Sequence, residues 1–127
     1  MSTDKQIEHE IQAKGLTAPR VTPDDIEAEI DSEYYFTAAQ GAFQELSTCG
    51  DSSAELAVPK ALHLLTFCVL VLRNGFTVTG ESACASPENF DAEIGRKIAR
   101  QNAVAKVWPL LGFRLRDALA RGLATGA

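Results

Sequence analysis

Leu62-His63-Leu64-Leu65-Thr66-Phe67-Cys68-Val69-Leu70-Val71-Leu72, then Arg73-Asn74-Gly75, then Phe76-Thr77-Val78-Thr79-Gly80-Glu81-Ser82-Ala83-Cys84 is the stretch that decides the fold. Asn-Gly between apolar and β-branched runs marks a β-hairpin, because a two-residue turn needs positive φ at both positions. With Arg73 and Phe76 flanking the turn, Val71 faces Val78, Val69 faces Gly80, Phe67 faces Ser82 and Leu65 faces Cys84. The opposite face carries Cys68, Leu70 and Leu72 with Thr77, Thr79 and Glu81. Cys68 then sits opposite Glu81, away from Cys84, and no disulfide joins the two cysteines. The first strand is apolar on both faces, which an antiparallel sheet with one wet face does not require. The chain's own helices can cover one face. The other needs either more of the same core or a second copy, and self-association is the economical answer for a chain of 127 residues.

Downstream, Ser86-Pro87 can open a helical turn, or the helix proper starts nearer Asp91, which can also cap. It runs to about Trp108, just before Pro109. At 100° per residue, Ile94, Ile98, Val104, Ala105 and Trp108 share the expected core face. A second stripe, Ala92, Gly95, Ala99 and Ala103, has almost no side chain. It suits a close backbone approach, either by the chain's own sheet or by a symmetry mate, and the second is the stronger expectation. Arg96 and Arg100 edge that stripe on one side, Asn102 and Lys106 on the other. Such a groove suits a ligand with phosphates and hydrogen-bonding edges. Leu110–Leu123 reads as a separate last helix.

Upstream, Thr3-Asp4-Lys5-Gln6 has capping-box spacing and Gly15 is placed to end a thin, marginal helix. A linker, Leu16–Val21, follows. Thr22-Pro23-Asp24-Asp25 is a stronger helix start, with Ile26 and Ile30 as the buried stripe of a short helix ending near Asp31. Tyr34–Thr37 reads as a short strand, and Ala38–Pro59 as a loop with one helical turn at most. The expected class is α+β, an antiparallel β-hairpin or sheet with C-terminal helices, oligomeric. Residues 1–33 form an acidic helical segment and 34–127 a single α+β domain.

The net charge of −5 is uneven: residues 1–33 carry −6, 34–87 carry −2 and 88–127 carry +3. An acidic head argues against a nucleic-acid polymer as partner, while the basic tail leaves room for a local phosphate site or an ordinary solvated helix surface. No run approaches the ~20 apolar residues of a membrane span. The polar opening Met1–Gln6 is unlike a secretory signal, so the cytoplasm is the expected compartment. Cys49, Cys68 and Cys84 form no CxxC, and His9 and His63 have no partners at ligand spacing, so neither a metal nor a cofactor is expected. Ser82 and Cys84 have no evident base except His63, itself lacking an acid. Glu88, Asp91 and Glu93 read as first-turn acids beside a helix dipole. Catalysis is not expected.

Asn74-Gly75-Phe76, Glu81-Ser82-Ala83-Cys84 and Asn89-Phe90-Asp91-Ala92-Glu93-Ile94-Gly95 continue into Ile98-Ala99, Asn102-Ala103, Lys106, Trp108-Pro109-Leu110 and Gly112. In these residues, over roughly 66–116, the chain resembles small podophage proteins of unknown function. It is also similar to the first type of Thoeris anti-defence protein, a phage sponge for cyclic ADP-ribose signals. The resemblance implies an oligomer that binds glyco-cyclic ADP-ribose, with cyclic trinucleotides as a second class, between protomers in the host cytoplasm without cleaving it. By role, Phe76 or Phe90 would stack on adenine, Asn89 or Asn102 would bond base or ribose, and Arg96, Arg100 and Arg114 would hold the pyrophosphate. Each has a plainer reading: Phe76 as a sheet aromatic, Phe90 as a hydrophobic staple, Asn89 as a cap and Arg114 as a solvated arginine.

Overall fold

In the computed structural model, which describes residues 3–48, 50 and 57–123, the order is α1 (Thr3–Ala13), α2 (Pro23–Glu29), β1 (Ile30–Thr37), α3 (Ala38–Thr48), β2 (Leu65–Leu72), β3 (Thr77–Ala83) and α4 (Ala92–Ala120). Short 3-10 turns occupy Lys60–Leu64 and Pro87–Asn89. The strands form one antiparallel sheet, ordered β1-β2-β3. The α+β expectation holds.

The hairpin forms around three loop residues rather than two. Leu72 N–H bonds Phe76 O at 2.8 Å and Gly75 N–H bonds Leu72 O at 2.9 Å. Gly75 has φ 87°, while Asn74 stays at negative φ and accepts from Phe76 N–H through Oδ1 at 3.0 Å. The expected register is therefore one residue out. Leu70 faces Val78, Cys68 faces Gly80, Phe67 faces Glu81 and Leu65 faces Ala83. A one-residue slip moves every β3 side chain to the other face. Val78 and Gly80 thus share the buried face with Cys68, Leu70 and Leu72, and Thr77 and Thr79 are exposed beyond Val69 and Val71.

α4 covers the buried face, and the side it turns inward corrects the sequence reading. Gly95, Ala99, Ala103, Val107 and Leu111 are buried, whereas Ile94 and Ile98 are 55 % and 41 % exposed. Of the expected core face, only Val104 and Trp108 pack on the core. The bare stripe lies on the chain's own sheet, not on a symmetry mate. A Cβ placed on Gly80 would stand 2.2 Å from Ala99 O and 2.3 Å from Ala103 N, so a glycine in the strand and small residues in the helix together allow this approach. The sheet fills the volume the stripe lacks, with Leu70 and Cys68 fully buried beside Val107. Burying a side chain as large as leucine contributes about 1.5–3 kcal/mol.

α4 also runs straight through Pro109, where a stop and a second helix were expected. Pro109 and Ala105 are both exposed, so the carbonyl that loses its partner can turn to water. Val107 and Leu111 on either side are held in the core.

Upstream, α2 has the expected Thr22 cap, which the structure closes into a box: Asp25 N–H donates to Thr22 Oγ1 at 3.1 Å and Thr22 N–H to Asp25 Oδ2 at 2.9 Å. The helix stops at Glu29 and β1 starts at Ile30, earlier than the aromatic run suggested. α3, Ala38–Thr48, replaces the first half of an expected loop. Its start is another box, with Thr37 N–H donating to Gln40 Oε1 at 2.8 Å and Gln40 N–H to Thr37 Oγ1 at 3.2 Å. Cys49 and residues 51–56 of that stretch lie outside the described residues. α1 has no buried residue. The outer face of the sheet keeps Leu65, Phe67, Val69 and Val71 half-buried, beside Tyr34 (57 % exposed) and Phe36 (39 % exposed) of β1.

Candidate functional site

Three of the seven expected ligand contacts are tied into the fold. Arg100, in the middle of α4, donates from Nη1 and Nη2 to Glu27 at 3.1 and 2.8 Å and from Nε to Glu33 at 2.8 Å. This fork joins α2, β1 and α4 through one guanidinium. Asn102 Nδ2 donates to Glu81 O at 2.8 Å, and Arg114 grips Glu29 at 2.8 and 3.1 Å. The Arg100 hydrogen bonds hold the Glu27 carboxyl below its ordinary range, and Arg114 does the same for Glu29. Both guanidinium pKa values move up in return, led by the same bonds. Next to Glu33, the Tyr35 hydroxyl donates to it at 3.3 Å. Burial, with the neighbouring Cys68 and Glu33, pushes that phenol up to about 12.

Phe76, Asn89, Phe90 and Arg96 are uncommitted. Phe76 is 55 % exposed at the hairpin end. Asn89 and Arg96 are exposed and Phe90 is half-buried, and none of the four has a side-chain hydrogen bond or ion pair within the described chain. Asn89 and Phe90 sit at the turn leading into α4, which Asp91 caps by accepting from Ile94 N–H at 3.0 Å. Arg96 follows one turn later. Arg100 and Arg114 open onto separate clefts. The first, of about 740 Å³, lies between α1, α2 and α4 and is lined by Asp4, Pro23, Ile26, Arg100, Val104 and Trp108 among others. The second includes Arg20, Glu29, Arg73 and Arg114.

The acids of the head were the residues that sequence reading missed. Glu27, Glu29 and Glu33 hold Arg100 and Arg114, and Asp4 accepts from Trp108 Nε1 at 3.1 Å. The opposite charges of residues 1–33 and 88–127 were the signal: much of the asymmetry is complementarity within one chain. Among the described residues there is no cluster of His, Cys, Asp or Glu that could hold a metal. Cys84 pairs through its N–H with Leu64 O at 3.0 Å, and its thiol donates to Ser86 O at 3.2 Å. Cys68 is fully buried, and burial pushes its thiol up.

A family model for phage proteins matches residues 21–119, from the approach to α2 almost to the end of α4. The chain belongs to the phage protein (N4 Gp49/phage Sf6 gene 66) family. The family match reaches far upstream of the block on which the sequence resemblance rests, and takes in the acids that hold Arg100 and Arg114. It leaves out α1, the helix with no buried residue. For this phage protein, no curated protein and no solved structure matches. No helix among the described residues is long and apolar enough to cross a membrane.

Proposed function

We propose that the protein is a phage anti-defence sponge, similar to the first type of Thoeris anti-defence protein. It sequesters a cyclic nucleotide signal of the glyco-cyclic ADP-ribose type in the host cytoplasm, with cyclic oligonucleotides as a second class. The observation that supports this best is that Asn89, Phe90 and Arg96, around the start of α4, and Phe76, at the hairpin end of β3, are uncommitted. They offer an aromatic face at either end of β3, an amide and a guanidinium, the chemistry that a base, a ribose and a pyrophosphate require. Arg100, Asn102 and Arg114 support the scaffold in this reading and touch ligand only through donors left over from their present bonds. The site is completed between copies of the chain, and the apolar outer face of the sheet is a surface through which copies can meet. The ligand is retained whole, since the Cys84 thiol is turned to a carbonyl and the described residues offer it no base and acid in series.

Incubation with glyco-cyclic ADP-ribose is expected to raise the melting temperature, and heating is expected to release the ligand with its mass unchanged. Arg96→Ala removes the shift while leaving the unliganded melting temperature where it was. Release of a degraded product would refute the sponge in favour of an enzyme. The outer sheet face, with Tyr34 and Phe36 exposed, supports one other reading, a phage interaction protein without a small ligand. That reading expects no shift with any cyclic nucleotide and co-purification with a host protein.

A further inference from the structure

β3 is an edge strand, and the pairing pattern fixes which of its backbone groups are free. Antiparallel partners alternate between pairs that exchange both hydrogen bonds and pairs that exchange none. Leu72 bonds Phe76 and Leu64 bonds Cys84, so Val78, Gly80 and Ser82 bond β2. Thr77, Thr79, Glu81 and Ala83 therefore aim their N–H and C=O groups away from the sheet. Asn102 of α4 occupies one of these, Glu81 O. Thr77 and Thr79 stay open, with no lysine, proline or bulge between Thr77 and Ala83 to protect them. Ile98 lies one turn before Asn102 on α4 and is exposed.

We propose that this edge pairs with the β3 edge of a second copy, antiparallel about a two-fold axis near Val78, to make a continuous six-stranded sheet. Thr77 of each chain lies opposite Thr79 of the other, and these two pairs exchange roughly four backbone hydrogen bonds. The edge is self-complementary in this register. Its single charge, Glu81, falls opposite Gly75 of the second copy, so the two carboxylates stay apart and no like charges meet. Asn102 keeps its bond to Glu81 and ends the ladder there. Phe76 lies on the helix side of the strand, as Val78 and Gly80 do, and comes opposite Gly80 of the second copy. That glycine has no side chain because α4 presses on it. The incoming ring lies beside Ile98, so in this pairing Phe76 belongs to the seam and Phe90 is the aromatic left for a ligand. The pairing rests on the β3 backbone and does not depend on which ligand the protein binds.

Proline at position 79 tests this, because Thr79 N–H points outward and β2 does not use it. Sedimentation and light scattering of the full chain across a dilution series are expected to give twice the chain mass of 13.7 kDa at high concentration, falling toward the single-chain mass on dilution. Thr79→Pro is expected to give the single-chain mass with an unchanged circular dichroism spectrum. Ile98→Lys, at an exposed helix position, weakens the dimer without touching the ladder's monomer side. Amide exchange in the wild-type chain, which needs no variant, is expected to show Thr77 and Thr79 protected at high concentration and unprotected on dilution. A wild-type chain that keeps the single-chain mass throughout overturns the proposal. So does an assembly that survives Thr79→Pro and Ile98→Lys but is broken by Val69→Lys, which runs through the outer face instead.

Discussion

Gly80→Ala tests the central contact of the fold. A β-carbon at position 80 stands 2.2 Å from Ala99 O, 2.3 Å from Ala103 N and 2.9 Å from Ala103 Cα. All three are backbone atoms, so no side-chain rotation relieves the overlap. An ordinary carbon contact begins near 3.4 Å, and α4 must therefore withdraw by about 1 Å along the middle of its buried face. Leu70, Cys68 and Val107, all fully buried, lose contact together. Overpacking of a well-filled core costs about 1–3 kcal/mol, and a clash with backbone on both sides belongs at the upper end. At about 2.1 cal/mol/K per residue of unfolding entropy, 127 residues turn a loss of about 3 kcal/mol into a drop of about 11 °C in melting temperature. Calorimetry and urea unfolding measure it. The reasoning also states what fails to help: Ala103→Gly removes a methyl that is not in the way and does not restore Gly80→Ala. A Gly80→Ala protein within about 0.5 kcal/mol of wild type, or rescue by Ala103→Gly, would refute the close-approach account.

Gly112, inside α4 with nothing within 4 Å of a built Cβ, behaves in the opposite way. Gly112→Ala is expected to raise stability by about 0.5–1 kcal/mol, read as a higher urea midpoint. Acid should loosen the head from the tail. Glu27 and Glu29 titrate below their ordinary value near 4.5 in the folded chain, so their contribution is complete above that value and is lost as the pH falls through the folded values. The urea midpoint is expected to fall below about pH 4.5, with a shallower slope in the double variant Glu27→Gln/Glu29→Gln. An equal slope in the two proteins speaks against the pairing. Removal of residues 1–14 takes away a helix with no buried residue, the Asp4 partner of Trp108 and the Glu8 carboxylate that Arg20 grips. It is expected to lower the melting temperature without loss of the fold, and to shift the emission of Trp108, the single tryptophan, to the red.

The hairpin and the Thr22 cap were legible because each depends on neighbours in sequence. The register was not, because Asn-Gly fits a two-residue loop and a three-residue loop equally well until Asn74 takes its φ. The buried side of α4 was misread for a different reason. A helical wheel rewards large apolar residues, and here the packing partner is a strand whose Gly80 admits a backbone rather than a side chain. Reading the Gly95–Ala99–Ala103 stripe together with Gly80 would have found it. The α3 box at Thr37–Gln40 was visible and was outweighed by Gly41. At the candidate site, the chemistry of Arg100 and Arg114 was legible, but their acids lie 73 and 85 residues away. Sequence spacing has no rule for that distance. Phe76, Asn89 and Phe90 came from family resemblance and Arg96 also from its place beside the bare stripe, and what the fold adds is that they are unspent.

The position of α4 after the strands bears on how the protein is made. Synthesis delivers Glu27, Glu29 and Glu33 first, and their partners Arg100 and Arg114 emerge only with α4. The three strands follow, and they can pair as soon as Ala83 is out. From then until the last turns of α4 appear, the face bearing Cys68, Leu70, Leu72 and Val78 has no cover from that helix. At ~5–20 residues per second, a helix of 29 residues takes roughly 1.5–6 s to translate. During that interval the nascent sheet offers apolar surface on both sides. High expression on crowded polysomes should therefore favour aggregation of incomplete chains, and a stop codon placed before Ala92 should yield an insoluble product rather than a smaller folded one.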